Sequence, residues 1–191
     1  MIYEGTEHFS FDGAMIQETV TDFWKWAYGD FINNIQRSVL AEYIVSLAIG
    51  CKTLPGEQHR QQWRPYDLTT TDGHRVEVKS AAYVQSWDTK HPDHVSYSIA
   101  PARTPDETGD YKDDSPLQRN SDIYVFALYK AMSAEQDPLD LDLWEFYVLP
   151  TAVLDREKPT QKTITLPSLC NLSPIMCKFD TLSESVMKAL Q

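Results

Sequence analysis

Residues 33–50, NNIQRSVLAEYIVSLAIG, constrain the fold of this chain more than any other segment. At 100° per residue, Ile35, Val39, Leu40, Tyr43, Ile44, Val45, Leu47, Ala48 and Ile49 point nearly all round one helix axis. Such a helix has no polar face broad enough for a surface position and is expected to be largely buried, with Gly50 at its end. Other layers must enclose it, and 191 residues are enough to build them as one domain. Its exception is a narrow stripe of Ser38, Glu42 and Ser46, spaced four apart. An ionised glutamate in a buried helix is costly unless a cation meets it. Two partners are open: an arginine such as Arg37 or Arg64, or a metal ion.

The next informative stretch is YDLTTTDGHRVEVK, residues 66–79. With Asp72 and Gly73 as a two-residue turn, Asp67 would face Val78 and lie on the side opposite Glu77 and Lys79. With Thr71, Asp72 and Gly73 as a three-residue loop and Gly73 left-handed, Thr70 pairs with His74 and Asp67 with Glu77. The second register puts two carboxylates side by side, with Lys79 on the same face and Val76 and Val78 turned to the core. Adjacent carboxylates repel, and oxygen ligands of this kind suit magnesium or manganese. A lysine beside the metal can orient a water and offset charge on a phosphate. The plainer reading is a wet strand face with Glu77 paired to Lys79 or Arg75.

Beyond these segments, residues 13–30 read as an aromatic-rich helix, giving an N-terminal helical extension over 1–32. A core runs over 33–166, and 167–191 form a C-terminal segment with a closing helix. DIYVFALYKA and LWEFYVLP are strands, as are VSYSIA and KTITL; TAVLDREK is a short helix. Residues 104–121 are polar and acidic and read as a mobile insertion. Helices, strands and then a mixture predict an α/β class around a mixed sheet.

In this order and spacing, Glu42 on a buried helix, Asp67 on a hairpin and Glu77-Val78-Lys79 on its second strand resemble the PD-(D/E)xK nuclease superfamily, which includes restriction endonucleases. The resemblance covers roughly residues 33–130. It implies a restriction endonuclease-like core, a mixed central β-sheet flanked by helices, and Mg2+- or Mn2+-dependent cleavage of phosphodiester bonds in DNA. It makes Asp67, Glu77 and Glu42 the metal ligands and Lys79 the residue that positions or activates water. It also implies action as a homodimer. Gln85 and Ser80 are candidates for polar contacts near the site, with a surface glutamine and a strand end as the alternatives, and Arg64, Lys90 and Arg103 are candidates for the nucleic-acid backbone. The pattern differs in that Pro65 is separated from Asp67 by Tyr66, and Gln85 lies only six residues after Lys79.

A net charge of -11 runs against free binding to DNA, because phosphate attraction drives that affinity. The acidity lies mostly outside the motif, since residues 32–103 carry eight Lys/Arg against seven Asp/Glu. The same charge suggests a second reading, a non-catalytic subunit of this fold that docks a basic protein partner. Hydrolysis of a small phosphoester is a third. His91 and His94 are too few for a zinc site, and Trp63 and Trp87 read as packing residues. No apolar run is long enough for a membrane span, the start lacks the pattern of a signal peptide, and three cysteines read as reduced thiols. The expectation is therefore a cytoplasmic protein.

Overall fold

The computed structural model describes residues 1–51, 64–84, 95–103 and 116–191. A five-stranded mixed sheet organises them, built from β3 (Leu68–Thr69), β4 (Arg75–Ala82), β8 (Ile123–Tyr129), β9 (Trp144–Pro150) and β11 (Ile175–Cys177), in the order β11-β9-β8-β4-β3. Only β4 and β8 run parallel; the other neighbours are antiparallel. The sheet is a true middle layer, because β8 is buried at every position and its side chains divide between two cores.

On one face, Val76, Val78, Val125, Trp144, Phe146 and Val148 pack under α2 (Asn34–Ala48) and α5 (Leu182–Ala189). On the other, Ala81, Tyr124, Phe126, Leu128, Tyr147 and Leu149 meet α3 (Thr151–Glu157), α4 (Leu166–Cys170) and a small sheet of β5 (Ser96–Ser98) with β10 (Thr163–Thr165). The α/β class with a central mixed sheet flanked by helices is thus established. The strands at 123–129 and 144–150, the helix at 151–157 and the closing helix all stand where alternation and capping place them.

Three features differ from expectation. Residues 13–30 are not one helix: β1 (His8–Phe11) pairs with β2 (Ala14–Thr19), and α1 (Val20–Tyr28) begins only afterwards. The cause is Asp12-Gly13, both at positive φ, a two-residue hairpin turn of the favoured twist. Thr19 then starts α1 with a capping box to Asp22. Secondly, α2 is not enclosed all round: Ile35 (68%), Val39 (37%) and Tyr43 (55%) stay exposed along one side. Thirdly, the tail of the insertion is not mobile surface. β7 (Leu117–Gln118) pairs with β6 (Ala102–Arg103), and Arg119, Asn120 and Ser121 are buried; residues 104–115 lie outside the described residues.

Gly73 is the one place where the central hairpin depends on backbone freedom. Its φ is +88°, while a Cβ built there meets nothing within 4 Å. Gly73→Ala should therefore cost only the left-handed penalty, about 1–2 kcal/mol, read from the midpoint of urea unfolding.

Candidate functional site

The hairpin adopts the three-residue-loop register. Leu68 pairs with Val76 and Thr69 with Arg75, while the Thr70 N–H donates to the His74 carbonyl at 2.9 Å and the Gly73 N–H to the Thr70 carbonyl at 3.0 Å. Extending the pairing sets Asp67 opposite Glu77. The Asp67 N–H still bonds the Val76 carbonyl at 3.1 Å, and its Oδ2 accepts the Val78 N–H at 2.8 Å. The aspartate side chain thus takes a ladder position on β4 that no carbonyl fills.

Alternation sends Glu77 and Lys79 to the sheet face opposite Val76 and Val78. Both are mostly buried, and their side chains form an ion pair. Glu42, 8% exposed on α2, comes from the other layer, and its charge acts on both Asp67 and Lys79. The four residues that the motif singles out are therefore coupled electrostatically.

That coupling shows in their protonation. Burial, then Glu77 and Glu42, push the Asp67 carboxyl up to about 7, against the pull of Lys79 and the Val78 N–H. Burial works against the charge of Lys79, but Glu77, Asp67 and Glu42 outweigh it and hold the ammonium above its ordinary value.

The donor set suits a hard divalent cation in charge and in atom type. It is not drawn together around one. Among the described residues, no three acidic, histidine or cysteine side chains converge as a ligand set, and the Lys79 ammonium holds the Glu77 carboxylate. For Glu77 to act as a ligand, Lys79 must release it.

No family model matches this chain, and no curated protein is detectably similar to it. The assignment of the site rests on its geometry.

The remaining candidates divide. Ser80 turns away from the acids toward α2, where its hydroxyl meets that of Ser38 at 3.1 Å. It is no contact of the carboxylates; it fastens the helix that carries Glu42, one turn past Ser38. Arg64 stands three residues before Asp67, and Arg103 lies on β6, outside the central sheet; each already interacts within the chain. Gln85 and Lys90 lie outside the described residues, as do Trp63, Trp87, His91 and His94.

Sequence reasoning missed Tyr124. It lies beside Glu77 in the parallel register of β4 and β8, on the same face, and is 4% exposed. Burial and then the charge of Glu77 raise its hydroxyl pKa, so at neutral pH it remains a donor. The alternation of DIYVFALY does show which face it takes, but no local pattern shows that β8 runs parallel beside β4.

Proposed function

We propose that this chain is a Mg2+- or Mn2+-dependent endonuclease that hydrolyses phosphodiester bonds in DNA on a restriction endonuclease-like core. The observation that supports the reading is the crowding of buried carboxyls: burial first, then Glu77 and Glu42, raise the Asp67 carboxyl to about 7 although Lys79 lowers it. Asp67, Glu77 and Glu42 would hold the cation, which supplies Lewis-acid polarisation of the phosphate and a more acidic water. Lys79, released from Glu77, orients water and offsets charge on the phosphoryl oxygens. The three unpaired thiols accord with a reducing compartment such as the cytoplasm.

A second reading has its own observation. The Lys79–Glu77 ion pair already meets part of the charge, as expected of a structural remnant in a non-catalytic subunit. Magnesium or manganese titrated by calorimetry into wild type and Asp67→Asn, followed by plasmid nicking with both and with Lys79→Met, separates the two. The amide introduced by Asp67→Asn retains an acceptor for the Val78 N–H, so the hairpin is preserved. The endonuclease predicts metal-dependent nicking that falls by about 100-fold or more in Lys79→Met. Absence of metal binding in the wild type would assign the cluster to the second reading, and binding with turnover of p-nitrophenyl phosphate but no nicking would move the substrate to small phosphoesters.

A further inference from the structure

A second surface lies apart from the acidic cluster, at the N-terminal end of the chain. β1, β2 and α1 contain no buried residue. Phe11 and Met15 are 78% exposed and Trp26 85%, on a two-stranded hairpin and one helix; such elements gain little stability from their own packing. The apolar surface continues onto α2. Tyr28, Phe31, Gln36, Val39, Leu40 and Tyr43 enclose a groove of about 250 Å3. An exposed apolar area of this extent marks a binding surface. Gln36 donates its amide to the Ala27 carbonyl at 3.0 Å, which holds α2 to the end of α1.

The charges around this surface select its occupant. The segment that carries this surface is acidic: residues 1–32 hold Glu4, Glu7, Asp12, Glu18, Asp22 and Asp30, with Lys25 as the one lysine or arginine outside the core in residues 1–43, and Lys25 lies 4.0 Å from Asp22. A second copy would bring the same six carboxylates against these, and an anionic lipid surface would also be repelled. A segment with apolar residues along one side and lysine or arginine along its flanks meets both the groove and its rim. We propose that the face formed by β1, β2, α1 and the outer side of α2 docks a basic amphipathic helix of another protein. The proposal is independent of any chemistry at Asp67.

The test uses the full chain and, as probe, a Leu/Lys amphipathic helical peptide of about 18 residues, or five helical turns. Two controls accompany it: a scrambled peptide of the same composition and a Leu/Glu counterpart. Calorimetry should show micromolar binding of the Leu/Lys peptide and none of either control. Val39→Ser/Tyr43→Ser changes exposed side chains, so the circular dichroism should be unaltered while affinity falls at least 10-fold. Hydrogen exchange on adding the peptide should show protection within residues 8–43. Equal affinity in the double variant, equal binding of the scrambled peptide, or no binding at all would overturn the proposal. So would a dimer in light scattering that the double variant converts to monomer, which assigns the face to a second copy. Partition of the wild type, but not Trp26→Ser, into phosphatidylcholine vesicles would assign it to a lipid surface.

Discussion

Asp67→Asn should stabilise the protein by about 2–4 kcal/mol at pH 8.5 and leave it nearly unchanged at pH 4. The folded carboxyl titrates near 7, whereas an unfolded aspartate titrates near pH 4. Between those values the folded protein holds a proton that the unfolded chain has lost. The contribution of Asp67 is therefore fully present below about pH 4, declines as pH rises toward 7, and is absent above that. Asparagine cannot ionise, so it escapes the decline while keeping the hydrogen bond from Val78. Urea unfolding of both proteins between pH 4 and 8.5 checks the sign: the wild-type curve should fall with pH relative to the variant. A wild type that is the more stable at pH 8.5 would show that the surrounding positive charge compensates the Asp67 carboxylate. Magnesium adds a second comparison. On the endonuclease reading, millimolar Mg2+ raises the wild-type midpoint at pH 8.5 and does little to Asp67→Asn.

Arg119→Ala should cost about 3–5 kcal/mol. The Arg119 side chain is wholly buried. Its Nε donates to the Ile99 carbonyl at 2.8 Å, one terminal nitrogen to Asp155 at 2.7 Å and the other to the Lys158 carbonyl at 2.8 Å. One guanidinium thus ties the approach to β8, the strand-end at Ile99 and the end of α3. Removing it leaves a cavity and takes a donor from the carbonyls of Ile99, Lys158 and Gln161. Its carboxylate partner matters less, because Asp155 is 54% exposed and water can replace the guanidinium there. Asp155→Asn should cost about 1 kcal/mol or less, and the contrast between the two substitutions, measured by chemical denaturation, separates the buried fork from the surface charge.

The parts of this fold that are legible in the sequence are those where a local rule has one solution. Gly73 accepts the left-handed position that a three-residue loop requires, and from that residue the pairing of Asp67 with Glu77 follows. β8 and β9 are long, apolar and β-branched or aromatic enough to be read as strands. Asp12-Gly13 offers an equally local signal, but the aromatic run of Phe23, Trp24 and Trp26 extends the helical reading across it. α4 and β11 span only five and three residues, too few for either period to emerge. Arg119 reads as solvent-exposed because its sequence neighbours are polar, and only tertiary contacts reveal where its donors go. Glu42 shows both sides of the matter. Its need for a cation can be inferred from the apolar helix around it, but that Lys79 and Asp67 share its surroundings depends on how α2 packs on β4.

The edge of β4 has a consequence for how the protein behaves in a crowded solution. β3 pairs with β4 only at Arg75 and Val76, so among the described residues the run from Glu77 to Ala82 has a neighbour strand on its β8 side alone. A strand edge without a neighbour invites another chain to add a strand. Asp67 occupies the Val78 N–H, while Glu77 and Lys79 present charges that an incoming strand would have to strip of water. Variants that neutralise the acidic cluster for stability should therefore lose part of their solubility, which a precipitation assay would read.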